Sequence, residues 1–334
     1  VFKTLNLLLS NMNYGLVNLG NTCYMNSIIQ CITHSNFLSY NNENLINNCT
    51  KTIERNDFEL MQEWLKLQKA FNTKSNSERV NPIDFYRCFA KKIKDSEYTF
   101  IGFHQNDAGE FLTILFDLLH KCLEYKIKIT IGGTIENNYD KIAVDSINYW
   151  KRFFEKKYSY LVKSTYSQLL SITNCPKCDY STHNHDPIQV ITLPMKSHFK
   201  TIYDLLSDYT DLEVLDSDNQ WKCDRCKERV NPEKKTVFWN LSDVLIFQIK
   251  RYGNNLQKLN NHISFPKLLK MDRFCMNYNE ESMKYKLCAI SIQEGSLGGG
   301  HYYAICDTNE GWKVFNDTNV FSIKEEEMLS KKPY

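Results

Sequence analysis

The chain has 334 residues, a formal net charge of +2, and 42% hydrophobic against 24% charged residues. That balance suits a soluble globular protein of one large domain or two smaller ones, and it lacks the basic field that marks nucleic acid or anionic lipid as a main partner. No stretch approaches the ~20 apolar residues of a membrane span, and Leu5 to Leu9 is too short for a secretory core.

In chain order, the first strong signal is Gly20-Asn21-Thr22-Cys23. Tyr24, Ile28, Ile29, Cys31 and Ile32 then repeat at helical offsets, so a helix begins near Thr22 or Cys23, with Thr22 and Asn21 both competent caps. A thiol in a first helical turn feels the positive end of the macrodipole and free backbone N–H groups, which favour the thiolate. A buried core cysteine is the plainer alternative.

Helical stripes follow over Asp57 to Phe71 and through Phe85, Phe89 and Ile93, the latter opened by Asn81-Pro82. Another helix starts near Asp107 and runs through Phe111, Ile114, Leu115, Leu118 and Cys122. Residues 124 to 160 are weakly patterned and read as a variable insertion, with Gly132-Gly133 and Asn137-Asn138 as turns. From Ser167 the period becomes two. Strands are predicted at 169–173, 188–193, 237–239, 244–250, 287–292 and 302–305, then an Asn-rich loop at 253–262 within that run and a short charged helix at 324–329. The fold class is α+β: helices first, then a mostly antiparallel sheet.

Cys175-Pro176-Lys177-Cys178 and Cys223-Asp224-Arg225-Cys226 have the knuckle spacing of tetrahedral zinc ligands. A full set of four thiolates leaves no open coordination position, so one structural zinc ion is expected and no catalytic cofactor. His183 and His185 are surplus to such a site. CxxC pairs without a signal peptide also favour a reducing compartment.

Near the other end stands Gly298-Gly299-Gly300-His301-Tyr302-Tyr303-Ala304. Glycines permit close backbone approach, and the histidine opens a strand running through Asp307. A Glu310-Gly311 turn leads to Trp312-Lys313-Val314-Phe315 and then Asn316-Asp317. Such a hairpin can set an Asn or Asp side chain beside the imidazole. Cysteine, histidine base and an orienting amide or carboxylate is the logic of thiol hydrolases. Asn316-Asp317 also fits a plain turn pair.

These residues resemble the ubiquitin-specific proteases, the papain-like class of deubiquitinating enzymes. The resemblance is carried by Gly15 to Ser27 as a cysteine box, Gln105-Asn106-Asp107-Ala108-Gly109-Glu110-Phe111, Leu245 to Tyr252, Ile263-Ser264-Phe265-Pro266, and Gly300 to Ala304 with Trp312 and Asn316-Asp317 as a histidine box. It implies a hand-like fold of thumb, palm and fingers in a single catalytic domain over 14–334. A helical thumb would cover 14–125, zinc-bearing fingers 165–242, and palm plus insertion 126–164 and 243–334; residues 1–13 form an N-terminal extension. The family usually closes with an aromatic-rich strand just after the position of Tyr334.

By the same resemblance Cys23 is the nucleophile, His301 the general base, Asn316 the third member, Asp317 an adjacent support and Asn18 an oxyanion donor. Gln105, Asp107, Glu110, Gly299, Gly300 and Tyr302 would line the cleft for ubiquitin's tail, although Asp107 and Glu110 are also spaced as a capping box. The implied activity is hydrolysis at ubiquitin's C-terminal glycine through a thioester. The implied partners are ubiquitin, ubiquitinated proteins or polyubiquitin, met by an intracellular (cytoplasmic or nuclear) monomer. A protease for a ubiquitin-like modifier and a catalytically silent ubiquitin-binding module are the alternatives.

Overall fold

The computed structural model describes residues 2–4, 13–53, 58–73, 79–94, 106–252, 258–276, 283–296 and 299–334. Strand β1 (Phe2–Thr4) comes first, followed by five helices: α1 (Cys23–Ser35), α2 (Glu43–Thr52), α3 (Glu59–Thr73), α4 (Ile83–Lys94) and α5 (Ala108–Leu123). Their apolar stripes meet in one core, which includes Trp64, Phe85, Phe89, Phe111 and Phe116. Tyr24 of α1 meets Phe111 of α5 edge-to-face at 5.7 Å. The predicted start of α3 at Asp57 lies outside the described residues.

Residues 124–160 are more ordered than their sequence suggests. Helix α6 (Asn138–Phe154) fills much of this stretch, and α7 (Tyr160–Thr165) follows. Asn137, read as a turn residue, is the N-cap of α6 and forms a capping box with Asp140. The described α6 buries only Ser146 and Phe154, so its apolar stripe is faint. Gly133 does turn the chain, at φ 111°.

Among the described residues the strands form four sheets. In one, β3 (Ser181–Ile188), β2 (Ser167–Asn174), β8 (Glu233–Asn240) and β5 (Leu212–Val214) lie in that order, and a small hairpin joins β6 (Trp221–Lys222) to β7 (Arg229–Val230). A second has the order β10 (Leu268–Lys270), β11 (Lys284–Leu287), β1, β9 (Val244–Lys250) and β4 (Val190–Pro194). Pairing is antiparallel except between β4 and β9, where the intervening α8 (Ile202–Tyr209) packs against β4. The last sheet runs β12 (Ala289–Ser296), β13 (Gly299–Thr308), β14 (Gly311–Asn316) and β15 (Asn319–Ser322), before α9 (Glu325–Leu329).

Helix α1 lies between the two halves. All 13 of its residues are buried, and it packs on β13, β12 and α5. Tyr302 and Tyr303 alternate across β13: the first joins the helical core and the second the sheet core.

Candidate active site

The nucleophile candidate opens α1. Thr22 holds the N-cap position, but its side chain makes no cap hydrogen bond. It accepts instead from the Leu19 N–H at 2.9 Å and contacts Asn18 Oδ1 at 3.2 Å. The side-chain capping expected of Thr22 is therefore absent, because the Asn18 amide recruits the threonine. Asn18 Oδ1 also accepts from the backbone N–H of Gly20 at 3.0 Å and of Thr22 at 3.1 Å. Gly20 and Asn21 make this tight turn at φ 100° and 54°.

The Cys23 side chain is buried, and its surroundings differ from the expectation of a favoured thiolate. Burial pushes the thiol above its ordinary value; the backbone N–H groups of Tyr302, Tyr24 and Cys23 pull it down, while the charge of Asp317 pushes it up. Desolvation outweighs the helix terminus in the free protein. The Tyr302 contact places the sulfur beside the residue that follows His301.

His301 enters from β13, opposite Glu294 of β12. Its Nε2 lies 2.6 Å from Asn316 Oδ1 at the end of β14. An amide oxygen only accepts, so Nε2 donates and the lone pair is left on Nδ1. Gly300 permits the close approach just before it: a Cβ there would sit 2.4 Å from Gln293 Nε2 and 2.7 Å from the Glu294 carbonyl oxygen. Gly299 lies in β13 paired with Ser296.

Asp317 ties the two halves together. It turns β14 into β15 at φ 51°, and its carbonyl oxygen accepts from Leu16 N at 2.8 Å. Its carboxylate accepts from Asn18 Nδ2 at 2.9 Å on one oxygen and from Asn26 Nδ2 at 2.8 Å on the other. A Cβ at Gly15 would meet the Asp317 carbonyl oxygen at 2.4 Å, so glycine is required where the two segments touch. The carboxylate engages the amides flanking Cys23. Asn26 escaped the sequence reading as a site residue; it is one of several buried polar residues of α1, and a buried amide needs a partner.

The cleft-lining candidates divide. Asp107 caps α5, accepting from Gly109 N at 2.7 Å and Glu110 N at 3.0 Å, and its second oxygen takes the Tyr334 hydroxyl. Glu110 is exposed in the first turn of α5. Tyr302 is buried, with its ring 5.5 Å from that of Tyr334 in an edge-on contact. Gln105 lies outside the described residues.

Away from this groove, Cys175, Cys178, Cys223 and Cys226 converge with all sulfurs within 4.8 Å of one another. Two of the separations are 3.8 and 3.5 Å, close to the about 3.8 Å edge of a tetrahedron built on metal–sulfur bonds of ~2.3 Å. Each knuckle closes through backbone: Cys175 N donates to Tyr180 O at 2.8 Å and Cys223 N to Glu228 O at 2.9 Å. The donor set fits one metal ion. His185 is instead buried between Tyr149 and Trp239.

The sequence profile of the family described as ubiquitin carboxyl-terminal hydrolase matches residues 14–334. The chain belongs to the ubiquitin carboxyl-terminal hydrolase family. It is 31% identical to ubiquitin carboxyl-terminal hydrolase 2 of Bos taurus over 96% of its own length and 54% of that protein's. It is 27% identical to ubiquitin carboxyl-terminal hydrolase 21 of Rattus norvegicus, over 98% of this chain and 61% of the relative. The chain thus spans little more than half the length of these relatives. Among solved structures, Ubp8 in the SAGA deubiquitinating module bound to ubiquitin aldehyde shares the fold: TM-score 0.74, 23% identity, 98% of this chain and 70% of that one. All the ordered motifs read from this hydrolase-family sequence fall inside the matched residues. No helix among those described is long and apolar enough to cross a membrane.

Proposed function

We propose that this chain is a deubiquitinase that hydrolyses isopeptide or peptide bonds at the C-terminal glycine of ubiquitin, with Cys23 as nucleophile. One observation carries the reading: the Nε2–Asn316 contact at 2.6 Å fixes the His301 tautomer while the Cys23 sulfur sits against the neighbouring Tyr302 N–H. Nδ1 takes the thiol proton as sulfur attacks the glycine carbonyl carbon. The second N–H of Asn18 Nδ2, whose first is held by Asp317, donates to the developing oxyanion; such a donor is typically worth ~10²–10³ in turnover. The imidazolium then gives its proton to the departing lysine amine, and a thioester remains. Water, losing a proton to Nδ1, attacks that thioester and releases the ubiquitin carboxylate, and the proton returns to sulfur.

Asp317 supports this machinery by positioning Asn18. Asp107 and Glu110 offer negative charge at the mouth of α5, and Gly299, Gly300 and Tyr302 form a wall narrow enough to select a tail without side chains. The four cysteines hold zinc: an all-thiolate tetrahedral set suits that ion, which fastens the β2–β3 and β6–β7 turns structurally. Residues 14–125 act as thumb, 165–242 as fingers, and 126–164 with 243–334 as palm and insertion, after an N-terminal extension of 1–13. One copy supplies every group named, so a monomer suffices, and twelve cysteines with no disulfide among them suit a reducing cytoplasmic or nuclear setting.

The test is reaction with ubiquitin carrying a C-terminal electrophile, followed by mapping of the modified residue. Adduct on Cys23 is expected, together with turnover of a fluorogenic ubiquitin substrate that Cys23→Ala abolishes while still binding ubiquitin. Faster labelling by a ubiquitin-like modifier, or binding without any adduct, would overturn the assignment.

A further inference from the structure

Arg251 follows β9 and is 2% exposed, and among the described residues no carboxylate hydrogen-bonds to it. Its Nε donates to the Pro333 carbonyl at 2.6 Å and Nη1 to the carbonyls of Leu259 and Asn261 at 3.2 and 3.1 Å, while Nη2 has no hydrogen-bond partner among the described residues. These acceptors are all neutral. A buried cation without a counter-charge is costly, and desolvation lowers this guanidinium to about 10.

Beside it lies a cavity of about 430 Å³ whose lining includes Arg251, Lys258, Lys331, Lys332, Ser330 and Glu294. Lys258 Nζ donates to the carbonyls of Gln293 at 2.9 Å and Gly295 at 3.1 Å and to the Gln293 side chain, again neutral partners. Burial lowers the Lys258 pKa, and the charges of Arg251 and Lys332 lower it further against Glu294, so these cations feel one another across the cavity. Glu294 accepts from the Tyr303 hydroxyl at 2.8 Å, and Lys331 pairs with Glu327 at 3.4 Å. The lining carries more positive charge than its single acid can balance.

We propose that this cavity binds a phosphate-type oxyanion, held by Arg251, Lys258 and Lys332. Three cations approach from the end of β9, the following loop and the C-terminal segment. A multiply charged oxyanion accepts from Arg251 Nη2 and is drawn by the positive charges of Lys258 and Lys332; Lys258 acts by charge, its three N–H bonds being held by Gln293 and Gly295. The cavity backs onto β12, where Gln293 and Glu294 pair with Tyr302 and His301, so an occupant braces the strand opposite the histidine. Binding itself is independent of the proposed hydrolase chemistry and is read without turnover, so either claim can fail alone.

The experiment titrates sodium phosphate into the whole chain at constant ionic strength with chloride, following melting temperature and phosphorus NMR line width. A saturable rise in melting temperature is expected, with Lys258→Met and Lys332→Met each weakening phosphate at least ~tenfold, as loss of a positive charge beside the anion implies. Phosphate should also shield Lys258 and Lys332 of the unmodified chain from acylation, a readout that needs no variant. A phosphoserine peptide that binds as tightly as phosphate assigns the site to phosphorylated side chains; binding by inorganic phosphate alone assigns it to the free anion. Absence of a saturable shift above the chloride control, or equal binding by the Lys258→Met/Lys332→Met protein, would overturn the site.

Discussion

Asp317 and Asn26 meet at 2.8 Å between the β14–β15 turn and the first turn of α1, one helical turn beyond Cys23. The residue after Asn316 is thereby anchored to the helix that Cys23 opens. A buried amide donating to a carboxylate is a charge-assisted bond, and losing one partner strands the other. Asn26→Ala is expected to cost about 1.5–3 kcal/mol of stability. Because Asp317 also positions Asn18, kcat should drop roughly tenfold with KM little changed. Urea unfolding and steady-state kinetics on a fluorogenic ubiquitin substrate check both numbers; wild-type kcat in a destabilised variant would make the contact purely structural.

Cys23 should titrate late. Burial and the Asp317 charge raise its thiol above the ordinary range, and the N–H groups of Tyr302, Tyr24 and its own backbone only partly offset them. Alkylation by neutral iodoacetamide needs the thiolate, so its rate in the free protein should still be rising at the usual cysteine value of ~8.5. Asp317→Asn deletes the charge and should move the midpoint down. Mass spectrometry of the Cys23 peptide across pH decides; a midpoint near ~7 or below would show that the helix terminus wins after all.

Acid should loosen the fold through His34. Burial first, and the Lys313 charge second, hold its pKa down to about 3, with the ring 4.5 Å from Phe315. Above its unfolded value of ~6.5 neither state binds the proton. As pH falls below that, the unfolded chain takes a proton that the native imidazole refuses, so stability drops progressively toward the folded value, by at most about 1.4 kcal/mol per pH unit. His34→Gln should flatten the fall in urea midpoint between about pH 7 and about pH 5. An unchanged slope would point to other groups.

Metal loss should be visible in stability before chemistry. Cys223→Ser breaks a closed four-thiolate set and is expected to lower the melting temperature by at least about 5 °C and to abolish bound zinc. Elemental analysis of the parent should give one zinc per chain. A parent without zinc and with the same melting curve as the variant removes the ion from the account.

The strongly periodic elements were legible: α1, α5 and β13 lie close to where apolar spacing puts them, because burial enforces the period that the sequence displays. Helix α6 was not, since most of its described residues remain partly exposed and its cap, Asn137, has turn-like composition. Within the site, His301 and Asn316 were readable as a pair on one hairpin. Asn26 was not, because its partner Asp317 is distant in sequence and only the fold aligns them. The thiol's expected ionisation went the other way because dipole arguments count the helix end but omit how much water the surrounding core removes.

The enclosure of α1 has a further consequence. A helix wedged between two cores has no soft direction, so its amide hydrogens should exchange only when the whole domain opens. Motion within the folded state is then left to the strand side and its loops. The Cys23 sulfur is thereby anchored to the least yielding part of the molecule.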